Sequence, residues 1–462
     1  MIRFSKRKEK KLTIFSPPEH LLKVFMNPII SHLHSADPAA HVWPGDDRLW
    51  IYGSHDQPGT NTHDTMECYH VFSSSDLVHW TDYGIALHLK DVKWAISHMW
   101  AIDAVLWKGT YYLVFCAIER DTGEWRTGLA TSPRPEGPFV DAGFIQGVVW
   151  GQDPSLFVDD DGTPYLYRGA CGRMFGAELQ DDLRAVVPGT EVELTDQLQA
   201  AFEGPFVHKY QGKYYLSYPG LTGGEWPEEM YYAVSDKPLG PYKSRGVYIP
   251  QFKGCAGTNH GSIIEYKGRW LALHHSSWIS GIGQSRSLMI DYLEYDERGD
   301  ILPIVPSVDG VVAGEVMAGE PRISILLYAA TAEGACGQLH GTHVAHARTG
   351  HVGPGYVTGF DRQQYGLTVV AQSAVTAVFR LKIRYAAPGG NQQNKILVNH
   401  TLLDDPNSPD PTRYDKAHVF PRAEDWTELD AGLIELRPGD NTIRLYRGTG
   451  GIDVDYLKLE LV

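Results

Sequence analysis

Cysteine is scarce in this chain of 462 residues: Cys68, Cys116, Cys171, Cys255 and Cys336 are scattered, and no two form a CxxC pair. The odd count and wide spacing argue against a disulfide framework or a paired-cysteine zinc cluster, and for free buried thiols. Basic charge is short as well, with 41 Lys and Arg against 56 Asp and Glu and a formal net charge of −15. Nucleic acid is therefore not expected as a partner, because phosphate binding needs a basic surface. Long apolar runs are missing: nothing approaches the ~18 residues of a membrane span, so no membrane association is expected. The N-terminal "MIRFSKRKEKKLTIF" is basic like the start of a signal peptide, but no adequate apolar run follows it. A cytoplasmic location is the expectation, and the oligomeric state is left open.

Turn formers and tyrosine are abundant, with 48 Gly, 28 Pro and 25 Tyr, which favours short strands and turns over helices. The length exceeds one ordinary core, so two domains are expected. One phrase recurs five times: "DDRLWIYGS" from Asp46, "KGTYYLVFCA" from Lys108, "DGTPYLYRG" from Asp161, "QGKYYLSYPG" from Gln211 and "KGRWLALHHSS" from Lys267. Each copy is a turn followed by an aromatic-rich strand, a hairpin signal. A second phrase falls between copies in "FSSSDLVHW", "ATSPRPEGPF" and "AVSDKPLGPY". Five units of about four strands predict an all-β fold, a five-bladed β-propeller closed into a ring, with an open stack of β units as the alternative. The phrase stops near Pro321, and alternating segments such as "VFRLKIRYAA" and "NTIRLYRGTGGIDVDYLKLEL" follow. They predict a β-sandwich of jelly-roll type. The expected division is an N-terminal extension over 1–26, a propeller over 27–312 and a sandwich over 321–462, joined through Ile304 to Glu320.

Three acids stand at comparable points. Asp37 in "SADP", Asp153 in "QDPSLFVDDDG" and Glu203 in "FEGPFVHKYQG" each sit beside a small residue or a proline, at the start of a unit. Asp153 precedes its hairpin phrase by eight residues, Glu203 by eight and Asp37 by nine. Taken singly they could cap turns. Repeated at one register in different units, they point to a shared site where first strands converge. Glycoside hydrolysis suits such a set. A protonated carboxyl donates to the leaving oxygen, an ionised one activates water or attacks carbon, and a third anion raises the acid's pKa.

At these residues the chain resembles glycoside hydrolase family 43, through "NPII…SADP", "WIYGSHD", "MWAIDAVLWKGTYYLVF", "QDPSLFVDDDGTPYLY", "FEGPFVHKYQGKYYLSY" and "GTNHGSIIEYKGRWLALHH". The resemblance implies a five-bladed propeller and an inverting mechanism. Asp37 would be the general base, Glu203 the general acid, and Asp153 the group that tunes and orients the acid. Trp100 and Asp103 of "WAID", where relatives commonly carry Pro at the place of Ile102, and Arg286 of "GQSRS" would contact substrate. His260 of "GTNHGS" would face a calcium ion in the propeller channel; calcium prefers oxygen, so one imidazole does not define its site. No organic cofactor is implied. His32, His34, His274 and His275 lack partners at zinc-like spacing and are read as structural.

The C-terminal part resembles carbohydrate-binding modules of families 6 and 35, with Tyr414 and Trp426 as candidate sugar platforms or core residues. Ala329 and Thr331 stand where those modules usually carry glutamates, which weakens the case for their structural calcium. The expected activity is removal of α-L-arabinofuranosyl or β-D-xylosyl units from hemicellulose oligosaccharides. An exo-β-galactosidase or endo-arabinanase of the same family, or a non-catalytic sugar-binding protein, are the alternatives. Retaining fructosidases carry "RDP" and an "EC" acid, whereas this chain has "QDP" and "EGP".

Overall fold

The computed structural model describes residues 27–311, 322–403 and 417–462, together with the backbone of 21–22 and 316–317. The expected N-terminal extension, most of the junction and Tyr414 lie outside the described residues. Regular structure among the described residues is almost wholly β, and the helical elements are three-residue 3-10 turns.

Between Ser35 and Leu293 the chain makes five consecutive antiparallel sheets. The first holds Ser35–His41, Leu49–His55, Cys68–Ser74 and Trp80–His88. The second is built on Ile102–Trp107, Thr110–Glu119, Trp125–Ser132 and Val140–Phe144, with Ala95–Ser97 added at one end. Ser155–Val158, Pro164–Ala170, Arg173–Glu178 and Val192–Glu193 form the third. Phe206–Tyr210, Lys213–Gly220, Glu229–Ser235 and Lys243–Ile249 form the fourth. The fifth has only Ser262–Tyr266, Arg269–Ser276 and Ser287–Leu293.

The recurrent phrase folds as its composition requires. Lys108-Gly109, Gln211-Gly212 and Lys267-Gly268 separate paired strands, and both residues of each pair have positive φ (50° and 81°, 46° and 74°, 49° and 76°). That is the type I′ turn, whose twist matches a hairpin and whose second position suits glycine.

Apolar side chains between the sheets form five cores in cyclic order. Trp50, Tyr69 and Phe115 join the first sheet to the second. Val114 and Leu166 join the second to the third, and Tyr167 and Leu216 the third to the fourth. Tyr248 and Ile263 join the fourth to the fifth, and Leu271, Leu288, Ile51 and Phe72 bring the fifth back to the first. First strands follow the same order, so that Ser35–His41 packs against both Ile102–Trp107 and Ser262–Tyr266.

The segment at Asn27 lies along the open edge of the three-stranded fifth sheet. Its Nδ2 donates to the Ile290 carbonyl (2.9 Å) and its Oδ1 accepts from the Ile290 N–H (2.9 Å). The Ile29 N–H donates to Leu288 O (3.0 Å).

Beyond residue 322, two sheets face each other across one core that includes Val369, Phe379, Ile443 and Leu457. One of them continues the first sheet: Ile323–Tyr328 pairs in parallel with Trp80–His88, with Ile323 opposite Trp80 and Ile325 opposite Asp82. Ala329 is buried in the 3-10 turn Ala329–Thr331, which carries no carboxylate.

Replacing Asn27 by Ala leaves the buried N–H and carbonyl of Ile290 without their side-chain partners. At about 1–3 kcal/mol for each unsatisfied group, the expected loss is roughly 2–6 kcal/mol, measured by urea unfolding.

Candidate functional site

Where the first strands converge, a pocket of about 220 Å³ opens, lined by Asp37, Asp153, Glu203, His260, Arg286 and Trp100 among others. The three acids reach it through one local device. Asp37, Asp153 and Gly204 each precede a proline and each has positive φ (52°, 47° and 55°). At Asp37 this breaks the ladder, and pairing with Leu49–His55 shifts register between Ala36 and Ala39. A bulge of this kind re-aims a side chain. Glu203 stands one residue earlier than the two aspartates, because its left-handed position is taken by Gly204. A Cβ at Gly204 would lie 2.7 Å from His260 Nδ1, so the close approach of that ring requires glycine.

Asp37 is buried and held on every side. Arg286 Nη1 donates to its Oδ1 (2.9 Å) and the Ser54 hydroxyl to its Oδ2 (2.6 Å). Its own N–H donates to His275 Nδ1 (3.2 Å), while His275 Nε2–H donates to Thr258 O (3.0 Å). Burial opposes ionisation of Asp37, but the Arg286 guanidinium, followed by His260, His275 and the Ser54 bond, outweighs it and holds the carboxyl well below the ordinary range. Arg286 is itself buried and forked onto Asp56, with Nε and Nη2 donating at 3.0 and 2.8 Å and its backbone N–H at 2.7 Å.

The other acids are pushed the opposite way. Burial, then the charge of Asp37, raises Asp153 to about 8. Burial, then Glu228, Asp153 and Asp37, raises Glu203 well above its usual value. Glu228 is buried too and raised to about 8, chiefly by burial, although its Oε2 accepts the Asn259 N–H (2.7 Å). No other described residue hydrogen-bonds the Glu203 carboxyl, which is left facing the pocket. One pocket thus holds an ionised carboxylate opposite protonated carboxyls.

The expected substrate contacts divide. Trp100 forms a pocket wall, fixed by its Nε1–H to His63 O (2.9 Å) and packed on Trp125 with centroids 4.8 Å apart. Arg286 reaches the pocket, but its guanidinium is committed to Asp37 and Asp56. Asp103 is not among the residues that line the pocket: His41 Nε2 (2.7 Å) and the Ala104 N–H (2.7 Å) take one oxygen, and the Leu156 N–H (2.8 Å) takes the other. His275, expected to be structural, holds the backbone of Asp37. Trp426 is half-exposed, with Tyr356 against it at 5.4 Å and its Nε1–H on Thr349 O.

His260 lines the pocket, and its ring nitrogens have no hydrogen-bond partner among the described residues. One nitrogen lies within 4.8 Å of a carboxyl oxygen from each of Asp153 and Glu203. Burial lowers its pKa, which leaves a lone pair available at neutral pH. This donor set fits a hydrated cation held at one protein ligand, not a closed cage.

The sequence reading missed Asp56, Glu228, Thr258, Phe202, His63 and Met66. Thr258 and Phe202 stand two and one residues from His260 and Glu203, so the motifs themselves could have flagged them. Asp56 stands two residues past the first hairpin phrase, at the end of "WIYGSHD", but nothing local shows its partner 230 residues away.

The family model for glycosyl hydrolases family 43 matches residues 25–301. The chain belongs to this family. A second model, carbohydrate binding module family 35, matches 330–462, which narrows the expectation of families 6 and 35. The family 43 chain is 34% identical over 339 residues to xylosidase/arabinosidase 43A of Humicola insolens, covering 61% of this chain and 100% of that one. Among solved structures, it resembles a family 43 β-xylosidase/α-arabinofuranosidase from a compost microbial metagenome, in complex with xylotriose. Identity there is 31% and the TM-score 0.55, covering 62% of this chain and 99% of that one. An arabinoxylan arabinofuranohydrolase from Bacillus subtilis resembles it over 94% of this chain and 97% of its own, with 25% identity and a TM-score of 0.55.

Asp56→Asn should leave a buried guanidinium short of one charge and cost about 3–5 kcal/mol in urea unfolding. Arg286 would also be held less firmly on Asp37. The Asp37 pKa should then rise, and the acid limb of the kcat/KM profile should move to higher pH.

Proposed function

We propose that this glycoside hydrolase is an inverting exo-glycosidase that removes α-L-arabinofuranosyl or β-D-xylosyl units from hemicellulose oligosaccharides. The five sheets are read as the blades of a five-bladed propeller, and the two C-terminal sheets as a sandwich. Cyclic packing of the five cores supports the first reading, and the single core between facing sheets supports the second.

The observation that carries the chemistry is the opposed protonation of acids in one pocket. Environments that push carboxyl pKa values apart assign base and acid. Asp37, ionised beside Arg286, is the base: it takes a proton from a water that attacks the anomeric carbon. Glu203, protonated and free of protein partners, gives its proton to the leaving oxygen. Burial and the negative charge of Asp37 keep that proton on the acid, with the buried, protonated Asp153 beside it to tune and orient it. Trp100 offers a ring face to the sugar. The pocket falls below the roughly 300–1,000 Å³ of common ligand sites, which suits one terminal sugar unit. The xylosidase and arabinofuranosidase relatives support a pentose there.

His260 is the residue that would face a calcium ion. When bound, such an ion would supply positive charge beneath the sugar and order water. Elemental analysis should find calcium, and chelation should lower the rate without unfolding the chain. An unchanged rate and no metal would make His260 a substrate contact.

Glu203→Ala should cut turnover of unactivated oligosaccharides far more than that of nitrophenyl glycosides, whose leaving group needs no proton. Asp37→Ala should abolish both. Proton NMR should show the anomer inverted at first appearance, and a substrate complex should place the two carboxyls about 6.5–9.5 Å apart. Retained configuration would overturn the assignment, and a panel of nitrophenyl glycosides separates pentose from galactose specificity.

A further inference from the structure

A second cluster of metal-binding side chains lies where the first sheet meets the C-terminal sheets. His55 ends Leu49–His55, and Cys68 and His70 begin the neighbouring strand two residues apart, so all three project from one face. One ligand atom from each falls within 4.8 Å of the others, and all three residues are buried. Cys68 Sγ is 3.3 Å from His55 Nδ1 and 3.4 Å from Gln372 Oε1, and Gln372 Oε1 is 2.8 Å from His70 Nε2. Gln372 comes from the C-terminal part, and its orientation is fixed: Nε2 donates to Asp440 Oδ1 (2.8 Å), which turns the oxygen toward the cluster.

We propose that His55 Nδ1, Cys68 Sγ, His70 Nε2 and Gln372 Oε1 bind one Zn²⁺ that clamps the first sheet to the C-terminal part. Zinc takes sulfur at about 2.3 Å and nitrogen at about 2.0–2.1 Å, so a tetrahedron has ligand-to-ligand edges of roughly 3.3–3.6 Å. The two sulfur edges already have that length. A thiolate with two imidazoles selects zinc over the oxygen-seeking cations. The supporting shell is present as well. His70 Nδ1–H donates to Asp82 Oδ1 (2.9 Å), and His32 Nε2–H donates to Asp82 Oδ2 (2.8 Å). A carboxylate behind a ligating histidine orients the ring and raises its basicity.

Binding involves no redox change. The thiol of Cys68 loses its proton to solvent, as does His70 Nε2, and the metal takes the place of the proton now shared with Gln372. His55 lies between Ser54, which bonds Asp37, and Asp56, which holds Arg286. Zinc therefore braces the strand end that supports the ionised acid, but the inference does not depend on the glycosidase reading.

The test uses the full-length chain, stripped with a chelator and then titrated with Zn²⁺ or Co²⁺. About one equivalent should remain after desalting, and Co²⁺ should give the absorption of a tetrahedral thiolate complex. Zinc should also raise the Tm and shield Cys68 from alkylation. Cys68→Ser should lose the thiolate band and bind at least 10-fold more weakly, and Asp82→Asn should bind about 10–100-fold more weakly. His260→Ala should keep the full equivalent, which separates this site from the pocket. If Cys68→Ser fails to fold, Gln372→Ala, which should weaken zinc without removing the thiolate band, is read in its place. Less than a tenth of an equivalent of zinc in the wild-type chain, or an unchanged cobalt spectrum in Cys68→Ser, would overturn the proposal.

Discussion

One guanidinium ties the molecule together. Arg286 stands just before the last strand of the fifth sheet, and both acids it binds, Asp37 and Asp56, belong to the first sheet or its adjoining loop. An ion pair taken out of water gives little net stability unless its geometry is fully met. Here the fork onto Asp56, the third nitrogen on Asp37 and the Ser54 hydroxyl meet it. The same contact brings the ends of the five-sheet unit together and sets the charge of the acid in the pocket. The packing of the fifth sheet on the first and the charge of Asp37 therefore share an origin: if the fifth sheet moved away from the first, Asp37 would lose the partner that keeps it ionised.

The opposite state of Glu203 and Asp153 follows from distance to that cation. Both are surrounded by protein, both feel the negative charge of Asp37, and neither has a guanidinium of its own. Desolvation and like charge then act in the same direction. A carboxyl raised to about 8 retains a proton that the unfolded chain gives up above about pH 4. It therefore costs stability progressively as pH rises between those values. Glu228 is raised likewise and Glu203 in the same direction, and carboxyls perturbed together in one cleft are characteristic of functional sites.

Much of this was legible in the chain. The Lys-Gly and Gln-Gly turns announce hairpins because a type I′ turn needs two positive φ angles. Asp-Pro and Glu-Gly-Pro announce the pocket because the residue before each proline is twisted to aim an acid inward. What could not be read were partnerships across distance. Asp56 meets Arg286, Glu228 stands beside Glu203, and His275 accepts from Asp37 only after the fifth sheet has packed on the first. Asp103 belongs with these, since its motif sits in the right strand but its oxygens are taken by His41 and Leu156. The parallel pairing of Trp80–His88 with Ile323–Tyr328 was equally invisible, because alternation along a strand does not say which edge it will join.

That pairing also bears on how the chain can be divided. A ladder of backbone hydrogen bonds runs from the first sheet straight into the C-terminal part, so the boundary between the two is not a tether. Cutting there would bare the backbone edge at Trp80–Asp82, the kind of surface on which other chains add strands and aggregate. The C-terminal part thus acts as an edge guard for the enzyme, a service that requires no sugar to be bound.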